Sequence, residues 1–326
     1  MRRDLIVIGA SAGGVEALKI LLKGLPADLP ASVMIVLHTS PRADAGLPRI
    51  FARSSALPIS DPDGGVPLQR GHVYVAVPDR HLLVEDSHAA AVMGPKENRS
   101  RPAIDVLFRS AARHFRARVM GVILTGLLDD GTTGMWEIKR HHGITIVQDP
   151  KEAQYPQMPR SVLEHVAVDY CLPLAKISSL LNSLCRQEFY PVAQKAISAE
   201  DSVMKTHDTH LTCPECGGPL QHLKYGRLDG FRCRVGHAYS PQSALTAHAE
   251  KEEAALWHAV VALEEGADLA GELSGSLGTE FSQKLRKEAG AKKSLAKSIR
   301  CTLQALPKVT AHTEPSRSTR KKKRRS

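Results

Sequence analysis

No stretch of this chain approaches the roughly 20 consecutive apolar residues that a membrane-spanning helix requires, so membrane insertion is not expected. Nor is a secretory leader the expected reading. Met1-Arg2-Arg3 supplies its charge and Leu5-Ile6-Val7-Ile8 begins its apolar part, but Glu16 and Lys19 interrupt any continuous core, and the segment reads as a first strand. Cysteines number only six. Cys171, Cys185 and Cys301 are scattered, while Cys213, Cys216 and Cys233 cluster at metal-like spacing. That usage suits a reducing cytoplasm better than a disulfide framework. Acids are absent from Pro315 to Ser326, where seven Lys and Arg stand, so of the formal charge of +10 the body before this tail carries +3. The basic balance therefore describes a terminal run and not the folded part.

The 326 residues, 42% of them hydrophobic, suffice for one sizeable core and a second module. From Asp4 to about Leu181, short β-branched runs alternate with helix-like stretches: Leu5–Ile8, Val15–Leu22, Val33–Leu37, Val119–Leu124, Met135–Arg140 and Ile144–Val147. This pattern predicts an α/β fold with a doubly wound, largely parallel sheet. Leu57–Glu85, broken by Gly64-Gly65 and Arg70-Gly71-His72, reads as a small antiparallel insertion. The expected organisation is a catalytic domain over 1–187, a linker over 188–210, a zinc-ribbon-like module over 211–240, a helical hairpin over 241–306 and a disordered basic tail over 307–326.

Ile8-Gly9-Ala10-Ser11-Ala12-Gly13-Gly14 stands where the first strand meets the first helix. Free N–H groups at a helix N-terminus suit either a dinucleotide pyrophosphate or the oxyanion of an acyl transfer. The dinucleotide fingerprint wants glycine where Ser11 stands and an acid near the end of the second strand, which here ends in His38. A serine and a histidine at neighbouring strand ends favour a nucleophile and its base. Val119–Leu124 runs into Thr125-Gly126-Leu127-Leu128-Asp129-Asp130-Gly131 and delivers an acid to the same rim, and Asp149 follows a further strand. Taken singly, each has a plainer reading: Ser11 as a helix cap, His38 as a satisfied strand-end residue, Asp130-Gly131 as a turn.

Val7–Gly14, Val36-Leu37-His38, Gly71–His81, Arg101–Ala112, Leu124-Thr125-Gly126 through Asp130-Gly131, and Met158-Pro159-Arg160 together resemble the CheB methylesterase family in order and spacing. The resemblance covers nearly all of the first 180 residues. It implies a protein-glutamate methylesterase that demethylates chemoreceptor glutamates, with some members also deamidating glutamines. On the family pattern Ser11 is the nucleophile, His38 the base, Asp130 the orienting acid and the Leu127 backbone N–H the oxyanion donor, with no cofactor for catalysis and a methylated chemoreceptor as partner. Ala12 stands where the family has threonine, and Leu127-Leu128 where Met-Gly is usual. The first strand at Leu5 leaves no room in this sequence for an N-terminal receiver domain, so restraint is expected from a partner or from the C-terminal region.

Cys213-Pro214-Glu215-Cys216 and Cys233-Arg234-Val235-Gly236-His237 form a CxxC and a CxxxH knuckle, the spacing of a zinc ribbon with four soft ligands and no open position. Structural zinc is the expectation. Two other functions compete with hydrolysis. A non-catalytic scaffold on the same fold is disfavoured by the joint presence of Ser11, His38 and Asp130. Nucleic-acid binding through ribbon and tail is disfavoured because only Tyr225 and Phe231 are aromatic between Cys216 and Cys233.

Overall fold

The computed structural model describes residues 1–40, 46–62, 64–190, 205–275 and 278–305. The region read as a disordered tail lies outside the described residues, as does 191–204 of the stretch read as a linker. Two compact units divide the chain, the first running to Ser243 and the second from Ala244 to Thr310.

The first unit is built on seven parallel strands. In chain order they are β1 (Leu5–Ala10), β2 (Ser32–Leu37), β3 (Ile59–Ser60), β5 (Val73–Val75), β8 (Val119–Ile123), β9 (Ile144–Gln148) and β10 (Tyr170–Leu172), arranged β10-β9-β8-β1-β2-β5-β3. All adjacent pairs are parallel. Every residue of β1 and β2 is buried, as expected of strands covered on both faces, which read as continuous apolar runs. One face sends Ile6, Ile8, Val33 and Ile35 towards Leu18 and Leu21 of α1 (Gly14–Lys23) and Ile177 and Leu181 of α6 (Leu174–Arg186), with Phe51 of the short α2 (Leu47–Ala52) alongside. The other sends Leu5, Val7, Met34 and Val36 towards Leu107 and Phe108 of α3 (Ile104–Phe115), Met135 of α4 (Thr132–Arg140) and Val162 of α5 (Gln157–His165). A side-chain period of two along each strand thus feeds two cores from one sheet.

The order places β1 between β2 and β8, where the chain stops adding strands on one side and begins on the other. Ligand crevices of open parallel sheets form at such a switch, beyond the C-terminal strand ends. Ser11, His38 and the loop holding Asp130 follow β1, β2 and β8.

Two sequence expectations change. Val73–Val75 is not part of an antiparallel insertion: it pairs in parallel with β2 and β3 and is fully buried. Its three-residue length hid a central strand among the surrounding turns. The antiparallel element is instead β4 (Val66–Pro67), β6 (His81–Glu85) and β7 (His88–Val92), in the order β4-β7-β6. A strand also enters the stretch read as a linker, since β11 (Lys205–Thr212) pairs with β12 (Pro219–Tyr225). Its alternation of Thr, His and Asp masks it as a loop. With β13 (Leu228–Cys233) and β14 (Ala238–Tyr239) these make a four-stranded antiparallel sheet in the first compact unit. Two long helices follow, α7 (Pro241–Leu273) and α8 (Thr279–Ala305). Within the second unit, Ala267, Ala270 and Ala289 make a small core with Leu285 against it, and Glu264–Arg300 and Asp268–Lys293 ion pairs link the two helices.

Candidate active site and metal centre

Ser11 sits in the tight turn between β1 and α1. Its backbone N–H donates to Thr125 O at 3.0 Å, and its own carbonyl accepts from Gly14 N–H at 2.8 Å. Gly13 at φ 74° turns the chain into the helix, a conformation that suits glycine. The loop after β8 closes against the serine: a Cβ added at Gly126 would stand 3.0 Å from Ser11 Cβ and 2.0 Å from Met158 Sδ. Glycine here is a requirement of that approach.

His38 reaches across from β2. Its Nδ1 lies 3.2 Å from Ser11 Oγ and its Nε2 lies 2.8 Å from Asp130 Oδ2. A carboxylate accepting at Nε2 puts the proton there and leaves Nδ1 as the acceptor facing the serine. Asp130 is only 2% exposed. Its Oδ2 also accepts from Ile104 N–H at 2.7 Å, and its Oδ1 accepts from Asn98 Nδ2 at 2.8 Å, Gly131 N–H at 3.0 Å and Asp105 N–H at 3.2 Å. Ile104 and Asp105 open α3, so the carboxylate caps a helix N-terminus from a distant loop. Burial by itself raises the Asp130 carboxyl, but the His38 hydrogen bond and charge, Asn98 and the Ile104 N–H outweigh it and hold it below its ordinary value. Asp105 is driven the other way, well above the ordinary range, first by burial and then by the Asp130 charge. The two carboxyls are thus pushed apart in their titration, each charge opposing the other.

Asp149 stays apart from this line, its Oδ1 accepting Lys151 N–H at 2.9 Å in its own turn. Leu127 lies between two committed donors: Gly126 N–H bonds Tyr155 O and Leu128 N–H bonds Gln157 Oε1. Among the described residues no acceptor pairs the backbone N–H groups of Leu127, Ala12 or Gly13, so all three are available at the rim. Leu128 holds φ at 61°, a conformation that costs an L-residue about 1–2 kcal/mol. Sequence reasoning missed Asn98, Asp105, Gln148, whose Oε1 accepts Thr125 N–H at 2.9 Å, and Gln157. Only the position of Asn98 and Asp105 around the Arg101–Ala112 motif could have signalled any of them.

In the ribbon, the ligand atoms of Cys213, Cys216, Cys233 and His237 lie within 4.8 Å of one another. Cys216 Sγ is 3.7 Å from Cys233 Sγ, and His237 Nδ1 is 3.7 Å from Cys213 Sγ and 3.5 Å from Cys233 Sγ. A tetrahedron with Zn–N and Zn–S bonds of about 2.0–2.3 Å has edges of about 3.5–3.8 Å, which these three separations match, so the four groups suit one zinc ion. Cys213 N–H to Gly218 O and Cys233 N–H to His237 O close the two knuckles. The Tyr239 hydroxyl, 3.3 Å from Cys213 Sγ, supplies an outer contact of the kind that orients ligands.

A serine, histidine and buried aspartate in line at the C-terminal edge of a parallel sheet define the α/β serine hydrolase arrangement. Within that class the chain belongs to the CheB methylesterase family, whose family model matches residues 6–181. It is 41% identical over 181 residues to a protein of Leptospira interrogans provisionally named protein-glutamate methylesterase/protein-glutamine glutaminase, spanning 55% of this chain and 94% of that one. It is 38% identical over 185 residues to the protein-glutamate methylesterase/protein-glutamine glutaminase 2 of Anaeromyxobacter dehalogenans, covering 57% of this chain and 54% of that one. The crystal structure of the Thermotoga maritima CheB methylesterase catalytic domain superposes with a TM-score of 0.54 at 31% identity, covering 56% of this chain and all of that one. Among the described residues, no helix is long and apolar enough to cross a membrane.

Proposed function

We propose that this chain is a protein-glutamate methylesterase and protein-glutamine glutaminase that acts, in the cytoplasm, on chemoreceptor-type proteins. The observation that carries the reading is the unbroken line from Ser11 Oγ through both ring nitrogens of His38 to a buried, four-donor Asp130. Ser11 Oγ attacks the ester carbonyl while its proton passes to His38 Nδ1, and the imidazolium is stabilised by Asp130 at Nε2. The carbonyl oxygen, now an oxyanion, is received by the unpaired N–H groups, Leu127 foremost. Collapse of the tetrahedral intermediate breaks the bond to the methoxy oxygen, which takes the proton from His38 and leaves as methanol. Water, deprotonated by His38, then attacks the acyl-serine and frees the glutamate carboxylate. With a glutamine side chain the same steps release ammonia. The free thiols of Cys171, Cys185 and Cys301 support the cytoplasmic placement.

Release of methanol from a methyl-labelled receptor by the full chain tests this. Ser11→Ala and His38→Ala should each lower kcat by about a million-fold and Asp130→Asn by about ten-thousand-fold, the ordering seen when the acid of a serine hydrolase triad is lost. Undiminished methanol release by a folded Ser11→Ala variant would overturn the mechanism.

A structural zinc ion on Cys213, Cys216, Cys233 and His237 belongs to the same reading, supported by the tetrahedral edges above. It would tie β11–β14 together and take no part in hydrolysis, since all four positions are protein ligands. Elemental analysis of protein purified without chelator should return one zinc per chain, and its absence would remove the assignment.

A further inference from the structure

Asn98 stands between the candidate acid and the metal-binding module, in the loop that leads to α3. Its side-chain amide is buried and all its strong positions are used. Nδ2 donates to Asp130 Oδ1 at 2.8 Å and to Asp105 Oδ2 at 2.9 Å. Oδ1 accepts from Ser240 N–H at 2.8 Å and from Ser243 Oγ at 3.1 Å. The orientation of this amide follows from chemistry: a backbone N–H can only donate, so the oxygen faces Ser240 and the two hydrogens face the carboxylates. The backbone joins in. Asn98 N–H donates to Ala238 O at 2.8 Å, Ala238 N–H donates to Lys96 O at 3.3 Å, and Ser240 Oγ donates to Asp129 Oδ1 at 2.7 Å, beside Asp130.

Ala238 directly follows the ligand His237, and Ser240 and Ser243 lie three and six residues beyond it. The anchoring pairs Lys96–Glu215 and Gly236 against Pro95 fix the knuckles on the same loop. The segment leaving the ribbon therefore supplies the donors that hold the oxygen end of the Asn98 amide, while the two carboxylates hold its nitrogen end. Without them the oxygen would be left buried and unpaired and the amide free to tilt, loosening the Nδ2 contact with Asp130.

We infer that Asn98, Ser240 and Ser243 form a positioning relay through which the C-terminal ribbon holds the triad acid in its working orientation. The inference rests on the hydrolase reading of Ser11, and the three residues act through Asp130. It makes the ribbon a structural part of the active site's support. The titratable groups facing Asp130 are His38, Asp105, Asp129 and His81, so a change in the relay is read through the pair His38–Asp130.

The test uses the full chain and two measurements across about pH 5 to 9, a range that brackets a histidine base: the rate of Ser11 labelling by a fluorophosphonate, and methanol release from a methylated receptor. Asn98→Ala removes a donor from Asp130 while three backbone donors remain. Its limiting labelling rate should fall about tenfold, and its pH midpoint should move up because the less shared carboxylate holds the His38 proton more firmly. Ser243→Ala should show a smaller change in the same direction, about threefold in rate, and Ser243→Thr should restore it. A merely structural role would lower the melting temperature and leave the midpoint where it was. Wild-type rate and midpoint in folded Asn98→Ala overturn the relay. Should that variant fail to fold, wild-type behaviour in Ser243→Ala, which deletes one hydroxyl, overturns it equally. Labelling without methanol release counts against the substrate reading alone, whereas a wild-type chain that is not labelled overturns both.

Discussion

Gly131 shows how closely single residues are constrained around the acid. It lies at φ 97° as the N-cap of α4, and its N–H is one of the donors to Asp130 Oδ1. A Cβ there would meet Ile123 Cδ1 at 2.5 Å and Ile104 Cγ2 at 2.9 Å, both fully buried. Gly131→Ala combines a left-handed penalty of about 1–2 kcal/mol with overpacking of about 1–3 kcal/mol. Urea unfolding should show a loss of at least about 2 kcal/mol, and activity should fall as well, because the turn that yields to the methyl group carries Asp130 with it. Stability equal to wild type would mean that Ile104 and Ile123 can move apart freely. The three side chains that the structure brings together, Ser11, His38 and Asp130, could be picked out of the sequence, since a serine in a glycine turn, a strand-end histidine and an Asp-Gly turn fall into an ordered motif set. Asn98 was not: a buried amide between two carboxylates has no sequence signature, and its meaning depends on Ser240, 142 residues away.

At the scale of elements, periodicity found the long pieces. β1, β2, β8 and β9 are apolar runs, and α1 carries its buried Ala17, Leu18, Leu21 and Leu22 on one face. It failed where elements are short or polar. β5 has three residues, and β11 presents Thr206, His207, Asp208 and Thr209 in a strand held by pairing with β12 rather than by burial of its own. The sheet β11–β14 buries few large side chains, Leu220, Leu223, Leu228 and Tyr239 among them, so a zinc ion in the proposed site would contribute much of what holds it. Titrating the protein with a strong chelator should release zinc in step with a loss of amide protection across Pro219–Tyr225 and Leu228–Cys233, while β1 and β8 keep theirs. Uniform protection with and without chelator would show that the knuckles fold without metal.

For the first unit as a whole, the buried Asp130 and the half-buried Asp129 set a stability that varies with pH, and they act in opposite senses. Asp130, held below its ordinary value, contributes stability that is present above that value and lost as pH falls through its folded one. Asp129 does the reverse. Burial first, with the Asp130 charge adding to it, pushes its carboxyl up to about 6 from 3.8, against the lowering effect of the Ser240 hydrogen bond. A carboxyl raised on folding favours the native state while both forms are protonated, below about pH 4, and that advantage is lost as pH rises towards about 6. Above that pH the native state carries the cost of a desolvated charge, which two pKa units put at about 3 kcal/mol. Asp129→Asn keeps an oxygen to accept from Ser240 Oγ and removes the charge, so at about pH 7.5, clear of the folded value, it should stabilise the protein by up to about 3 kcal/mol. The gain should shrink through the interval between 3.8 and about 6 and vanish near its lower end. Denaturant unfolding of both proteins across that interval decides the matter: a difference that is constant with pH would mean that Asp129 titrates normally and that its burial is relieved by water, with the Ser240 contact then making no electrostatic demand on the fold.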